Sequence, residues 1–78
     1  MMQEDLEYGH VEILLDKYLK NHKISKNYLE QEANISRTQL LNYCNNRAQR
    51  IDLAVISRIC HALNCTLEDL VVYIPPKR

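Results

Sequence analysis

Breakers of regular structure are scarce in this 78-residue chain, which has one glycine, Gly9, and two adjacent prolines, Pro75 and Pro76. So few sharp turns point to a helical protein. Long apolar runs are missing too: the longest, Leu70 to Ile74, falls far short of the roughly 20 residues a membrane span needs, and no apolar signal segment is seen. Cysteine is limited to Cys44, Cys60 and Cys65, an odd number at spacings that match no zinc module, so three free thiols in a reducing cytoplasm are expected. Cys60 and His61 are neighbours on a helix and point apart, which leaves no ligand set for a metal. There is no glycine-rich phosphate loop, no nucleophile with an oriented base and little volume for a pocket, so an enzyme is excluded and no cofactor or small-molecule ligand is expected.

Net charge is zero, without the overall basic balance that advertises a nucleic-acid binder. The average conceals an asymmetry. From Lys20 to Arg50 the charges are Lys20, Lys23, Lys26, Arg37, Arg47 and Arg50 against Glu30 and Glu32, while the start carries Glu4, Asp5, Glu7, Glu12 and Asp16. One face meeting phosphate would produce that division, and so would a solvated mixed surface.

The length allows one domain, read as an acidic arm over 1–10, a folded unit over 11–74 and a tail over 75–78. Val11, Leu14, Leu15, Tyr18 and Leu19 recur at helical spacing and predict a helix over 11–22, with Ile13 off the stripe. Four further starts share one plan, a capping residue preceded by an apolar residue that staples onto the fourth helical position. The caps are Ser25, Ser36, Asp52 and Thr66, the staples Ile24 with Leu29, Ile35 with Leu40, Ile51 with Ile56 and Cys65 with Leu70, and Gln39 completes a capping box with Ser36. Helices are therefore expected over 26–33, 37–45, 53–63 and 67–73, the last stopped by Pro75 and Pro76.

Only Asn34, Ile35 and Ser36 join the second and third helices, which suits two helices crossing steeply, the unit that lays its second helix in the DNA major groove. Asparagine tolerates the left-handed backbone such a turn requires. Leu29, Ala33, Ile35, Leu40 and Tyr43 would face inward, leaving Arg37, Thr38, Leu41, Asn42 and Asn45 outward on the third helix. Glu30 falls where an inward carboxylate would be costly, so it must turn outward or pair, with Arg47 or Lys26 in reach.

Over roughly residues 11 to 74 the sequence resembles the Cro/C1-type (XRE) family of regulators. The likeness is carried by Ile24-Ser25-Lys26, Asn34-Ile35-Ser36-Arg37, Asn45-Asn46-Arg47, and the run from Ile59-Cys60-His61-Ala62-Leu63-Asn64-Cys65-Thr66 to Leu67-Glu68-Asp69-Leu70. In overall look it is also similar to the small VanU-type regulators of bacterial vancomycin-resistance operons. The resemblance implies an all-α, five-helix lambda-repressor-like domain that binds double-stranded operator DNA, by default as a repressor. Base contacts carry over to Arg37, Thr38 and Asn42 with Ser36 close by, and phosphate contacts to Lys26, Asn45, Asn46 and Arg47. Arg50 and Tyr28 are further phosphate candidates. Arginine can grip guanine O6 and N7, asparagine can grip adenine N6 and N7, and a threonine methyl can meet that of thymine. The family's usual glycines at helix ends are Lys23, Asn34, Asn46 and Asn64 here, of which Lys23 would be strained by about 1 kcal/mol.

Val71, Val72, Tyr73 and Ile74, following Leu70, are apolar on more sides than one short helix can bury, which favours a homodimer interface. The other cover for this strip is Ile13 with the arm around Leu6 and Tyr8. Cys44 on the third helix is expected to be a buried, inert thiol. The rival to DNA binding is a protein-interaction module of the same fold, an antitoxin-like or co-regulator subunit.

Overall fold

The computed structural model describes residues 8–77, and in it residues 10–13 and 71–74 lie side by side. The elements are β1 (His10–Ile13), α1 (Leu15–His22), α2 (Lys26–Ala33), α3 (Arg37–Cys44), α4 (Leu53–Leu63), α5 (Leu67–Leu70) and β2 (Val71–Ile74). Five helices are thus joined by one small sheet in a lambda-repressor-like arrangement.

The caps explain where the helices begin. Ser25 Oγ accepts from the Tyr28 N–H at 3.0 Å, Ser36 Oγ from the Gln39 N–H at 3.1 Å, and Asp52 Oδ1 from the Ala54 N–H at 2.9 Å. Each satisfies a donor that a helix start leaves without an intrahelical partner. At α5 the Asp69 carboxylate accepts from both the N–H and the hydroxyl of Thr66, at 3.0 and 3.2 Å. The side chain that reaches back to its cap is therefore Asp69 at Thr66, whereas at Ser36 the described bonds run only from the Gln39 backbone. Helix ends are equally marked. Lys23, Asn34, Asn46 and Asn64 all adopt positive φ, between 54° and 58°, the four positions where glycine was missing.

Three helix boundaries differ from those the spacing predicts, that of α3 by a single residue, since it ends at Cys44. The first helix begins at Leu15, and residues 10–13 form β1; the last ends at Leu70, and residues 71–74 form β2. The two strands pair antiparallel, His10 with Ile74 and Ile13 with Val71. Val11, Ile13, Val71, Val72 and Ile74 are β-branched, a feature that fits a pleated surface better than a helix. Pro75 and Pro76 accordingly follow a strand instead of stopping a helix. Val11 leaves the expected stripe and is exposed, while Ile13 is buried. Of the arm expected over 1–10, residues 1–7, with Leu6, lie outside the described residues.

The core centres on Leu15, Leu19, Leu29, Leu40, Ile59 and Leu70, one or two from every helix and all fully buried. Completely burying such a side chain contributes about 1.5–3 kcal/mol. Two polar links tie the sheet to this core. The Leu14 N–H donates to the Leu70 carbonyl at 2.6 Å. Asn46 pairs with the backbone of Ile13 twice, Oδ1 accepting from its N–H at 2.7 Å and Nδ2 donating to its carbonyl at 3.0 Å. The side-chain amide thus acts as a further strand rung beside β1.

Candidate nucleic-acid interface

The backbone of the α2–α3 unit is held from three directions. Ser36 caps α3, Asn34 turns the chain at φ 55°, and Arg58 of α4 reaches across to the end of α2. Its Nε donates to the Ala33 carbonyl at 2.8 Å and a terminal nitrogen to the Asn34 carbonyl at 3.4 Å. A cation on the last carbonyls of a helix also complements the helix dipole. Arg58 was not singled out in the sequence, although it is the one charged residue besides His61 in the apolar stretch Leu53–Leu63.

Inward, Leu29, Ala33, Ile35, Leu40 and Tyr43 are buried as the spacing requires. The Tyr43 hydroxyl accepts from the Asp52 N–H at 3.2 Å, linking the base of α3 to the start of α4. Outward, Ser36, Arg37, Thr38, Asn42 and Asn45 are exposed along α3 and its end, with Arg47 and Arg50 exposed in the loop beyond. Leu41 shares this outer face. Tyr28 is exposed on α2.

Several of these side chains have partners within the chain. Lys26 is half-buried and pairs with Asp16 at 3.2 Å, and Asp16 also pairs with Lys20 one helical turn on at 3.0 Å. The two ammonium groups hold the Asp16 carboxyl below its ordinary range. The side chain of Asn46 serves β1, both its polar atoms being engaged by Ile13, which leaves one amide N–H for any contact with phosphate. Glu30, whose side chain is 20% exposed, forms an ion pair with Nε of Arg37. That partner differs from both expected ones, since Lys26 is held by Asp16.

Cys44 is buried, and burial pushes its thiol up, as expected of an inert group. Cys65 is pushed up to about 11, first by burial and then by the adjacent Cys60. Among the described residues no three His, Cys, Asp or Glu side chains converge as metal ligands, and no helix is long and apolar enough to cross a membrane.

A short turn, an outward polar face on the second helix and a braced backbone are the parts of a helix-turn-helix. The family of Cro/C1-type HTH DNA-binding domains matches residues 14–76. The chain belongs to that family. Its members bind DNA through this domain and are not enzymes. Among curated proteins, nothing matches. Among solved structures, the transcriptional regulator VanUg aligns with a TM-score of 0.69 at 23% identity, over 87% of this chain and 89% of that one. At that identity the likeness establishes the shared fold, and the family match establishes a DNA-binding domain. In helix-turn-helix domains generally, the second helix of the unit enters the major groove.

Proposed function

We propose that this domain is a sequence-specific transcriptional regulator that reads an operator through α3 and represses by occupying it. The observation that carries the reading is the outer face of α3, where Arg37, Thr38 and Asn42 stand exposed on a turn braced by Ser36, Asn34 and Arg58. Those three side chains have the donor, acceptor and methyl groups that base edges require. Ser36 stands close by at the helix start. Lys26, Asn45, Arg47, Arg50 and Tyr28 flank them and supply phosphate contacts, and Asn46 adds the one amide N–H that Ile13 leaves it. The similar VanUg is itself a transcriptional regulator, which supports the same role here.

The regulator acts as a homodimer. Val72 and Tyr73 remain exposed on β2 after β1 has paired with it, and Val71 opens into an apolar groove of about 590 Å³ lined also by Val11, Ile51, Leu53, Ile56 and Leu67. A twofold pair would read two half-sites about one helical turn apart. The groove also favours the second reading, a protein-interaction module in which another protein occupies it.

Binding to duplex DNA from upstream of the chain's own gene, at about 50 and 200 mM salt, separates the two. Specific binding that weakens steeply with salt and is lost in Arg37→Ala and Asn42→Ala supports the operator reader. Binding no tighter than to random duplex at the lower salt turns the assignment to the interaction module.

A further inference from the structure

The pairing of Glu30 with Arg37 links the middle of α2 to the first residue of α3, and it has a direction. Glu30 meets the guanidinium at Nε, the nitrogen nearest the chain, while no described hydrogen bond takes the two terminal nitrogens. A guanidinium is a rigid planar fork, so keeping Nε against Glu30 restricts where the terminal pair can point. Glu30 cannot easily release it. Its Oε2 is shut off from solvent and accepts no hydrogen bond, so the charge of Arg37 is what offsets its burial. The two backbones are fixed in turn by the Arg58 bonds to the carbonyls of Ala33 and Asn34, and by the Ser36 cap.

We infer that Glu30 is a positioning residue that sets which base Arg37 reads, presenting its terminal nitrogens end-on to O6 and N7 of guanine. The inference rests on the reading of α3 as the base-contacting helix. It gives a purpose to an acidic side chain on a DNA-binding unit, where a lone carboxylate would repel phosphate. It also divides the labour of the basic residues: Arg37 has its charge balanced and supplies sequence information, whereas Arg47 and Arg50, exposed in the following loop, supply salt-dependent attraction.

The test is selection of bound sequences from a duplex library randomised over about 20 base pairs, enough for two half-sites one turn apart. It is run on the full chain, Arg37→Ala, Glu30→Gln, Glu30→Ala and the double variant Glu30→Gln with Arg37→Ala, with folding followed by far-UV circular dichroism. Glu30→Gln is nearly isosteric and carries the test if the alanine variant does not fold. The full chain is expected to prefer guanine at one position of each half-site and Arg37→Ala to lose that preference. Glu30→Gln lowers it roughly five- to tenfold at that position alone, and adds nothing once Arg37 is gone. In the same variant the dependence of log K on log salt steepens by up to about 0.9, because Arg37 is released toward phosphate. In the free protein the Arg37 Nε resonance shifts in ¹⁵N spectra of Glu30→Gln. If both Glu30 variants keep the full guanine preference that Arg37→Ala loses, the role of Glu30 is overturned and base reading by α3 stands. A full chain that enriches no sequence overturns both.

Discussion

The helix-turn-helix and the terminal sheet are built by opposite means. In α2 and α3 nearly every determinant is local: a serine three residues ahead of the N–H it caps, an asparagine at the bend, and apolar residues at helical spacing. The sheet joins His10 to Ile74, and its one local signal is the β-branched character of Val11, Ile13, Val71, Val72 and Ile74. Their surfaces differ in the same sense. The outer face of α3 is polar and suited to base edges, while the sheet and the neighbouring groove expose Val11, Leu53, Leu67, Val72 and Tyr73. A small domain can thus keep its recognition element locally determined and close itself with a sheet whose strands are joined over a long loop.

The strongest test of this division is at Asn46, where one side chain connects the two regions. Asn46→Ala removes both bonds to Ile13 and puts at φ 58° a residue that tolerates the left-handed region less well than asparagine, so urea unfolding should show a loss of about 3 kcal/mol. Arg58→Ala acts on the other side of the comparison. Freeing the carbonyls of Ala33 and Asn34 should cost about 1.5 kcal/mol in the same measurement, and DNA affinity should fall although Arg58 lies on α4 and not on the outer face of α3.

Lys23→Gly should raise stability by about 0.5–1 kcal/mol, seen as a higher thermal midpoint, because only the left-handed strain at φ 57° is removed. The smallest effect is expected at Asp16. Its pairs with Lys20 and Lys26 lower its folded-state pKa, so their contribution is present above the ordinary carboxylate value of about 3.9 and disappears as pH falls through the lowered one. Asp16→Asn should therefore cost a few tenths of a kcal/mol at neutral pH, with the difference from the parent chain vanishing in acid.

The same contrast explains how much the sequence disclosed. Caps, staples and the three-residue turn each act within five residues, so the five helices, the buried faces of α2 and α3 and the exposed Arg37, Thr38 and Asn42 were all legible. The strands were read as helix ends because Val11 and Val71 happen to continue a helical spacing, and only a partner some sixty positions away shows otherwise. The side-chain pairings failed for the same reason. Charge alone gave Glu30 several cations to choose from, and Asp16 on α1 had already engaged Lys26. Nothing in the residue type of Asn46 separates a phosphate ligand from a strand rung; the decision belongs to Ile13, thirty-three residues earlier.

The register of the sheet also governs how the molecule answers to force. His10 and Ile74 form its outermost pair, at the edge from which both chain ends depart. Tension between the termini would then load the rungs singly, from His10 and Ile74 inward to Ile13 and Val71, in the manner of a zipper and not in shear. The domain should open at low force from that edge, with the Asn46 bonds to Ile13 as the last lock before the helices are pulled apart.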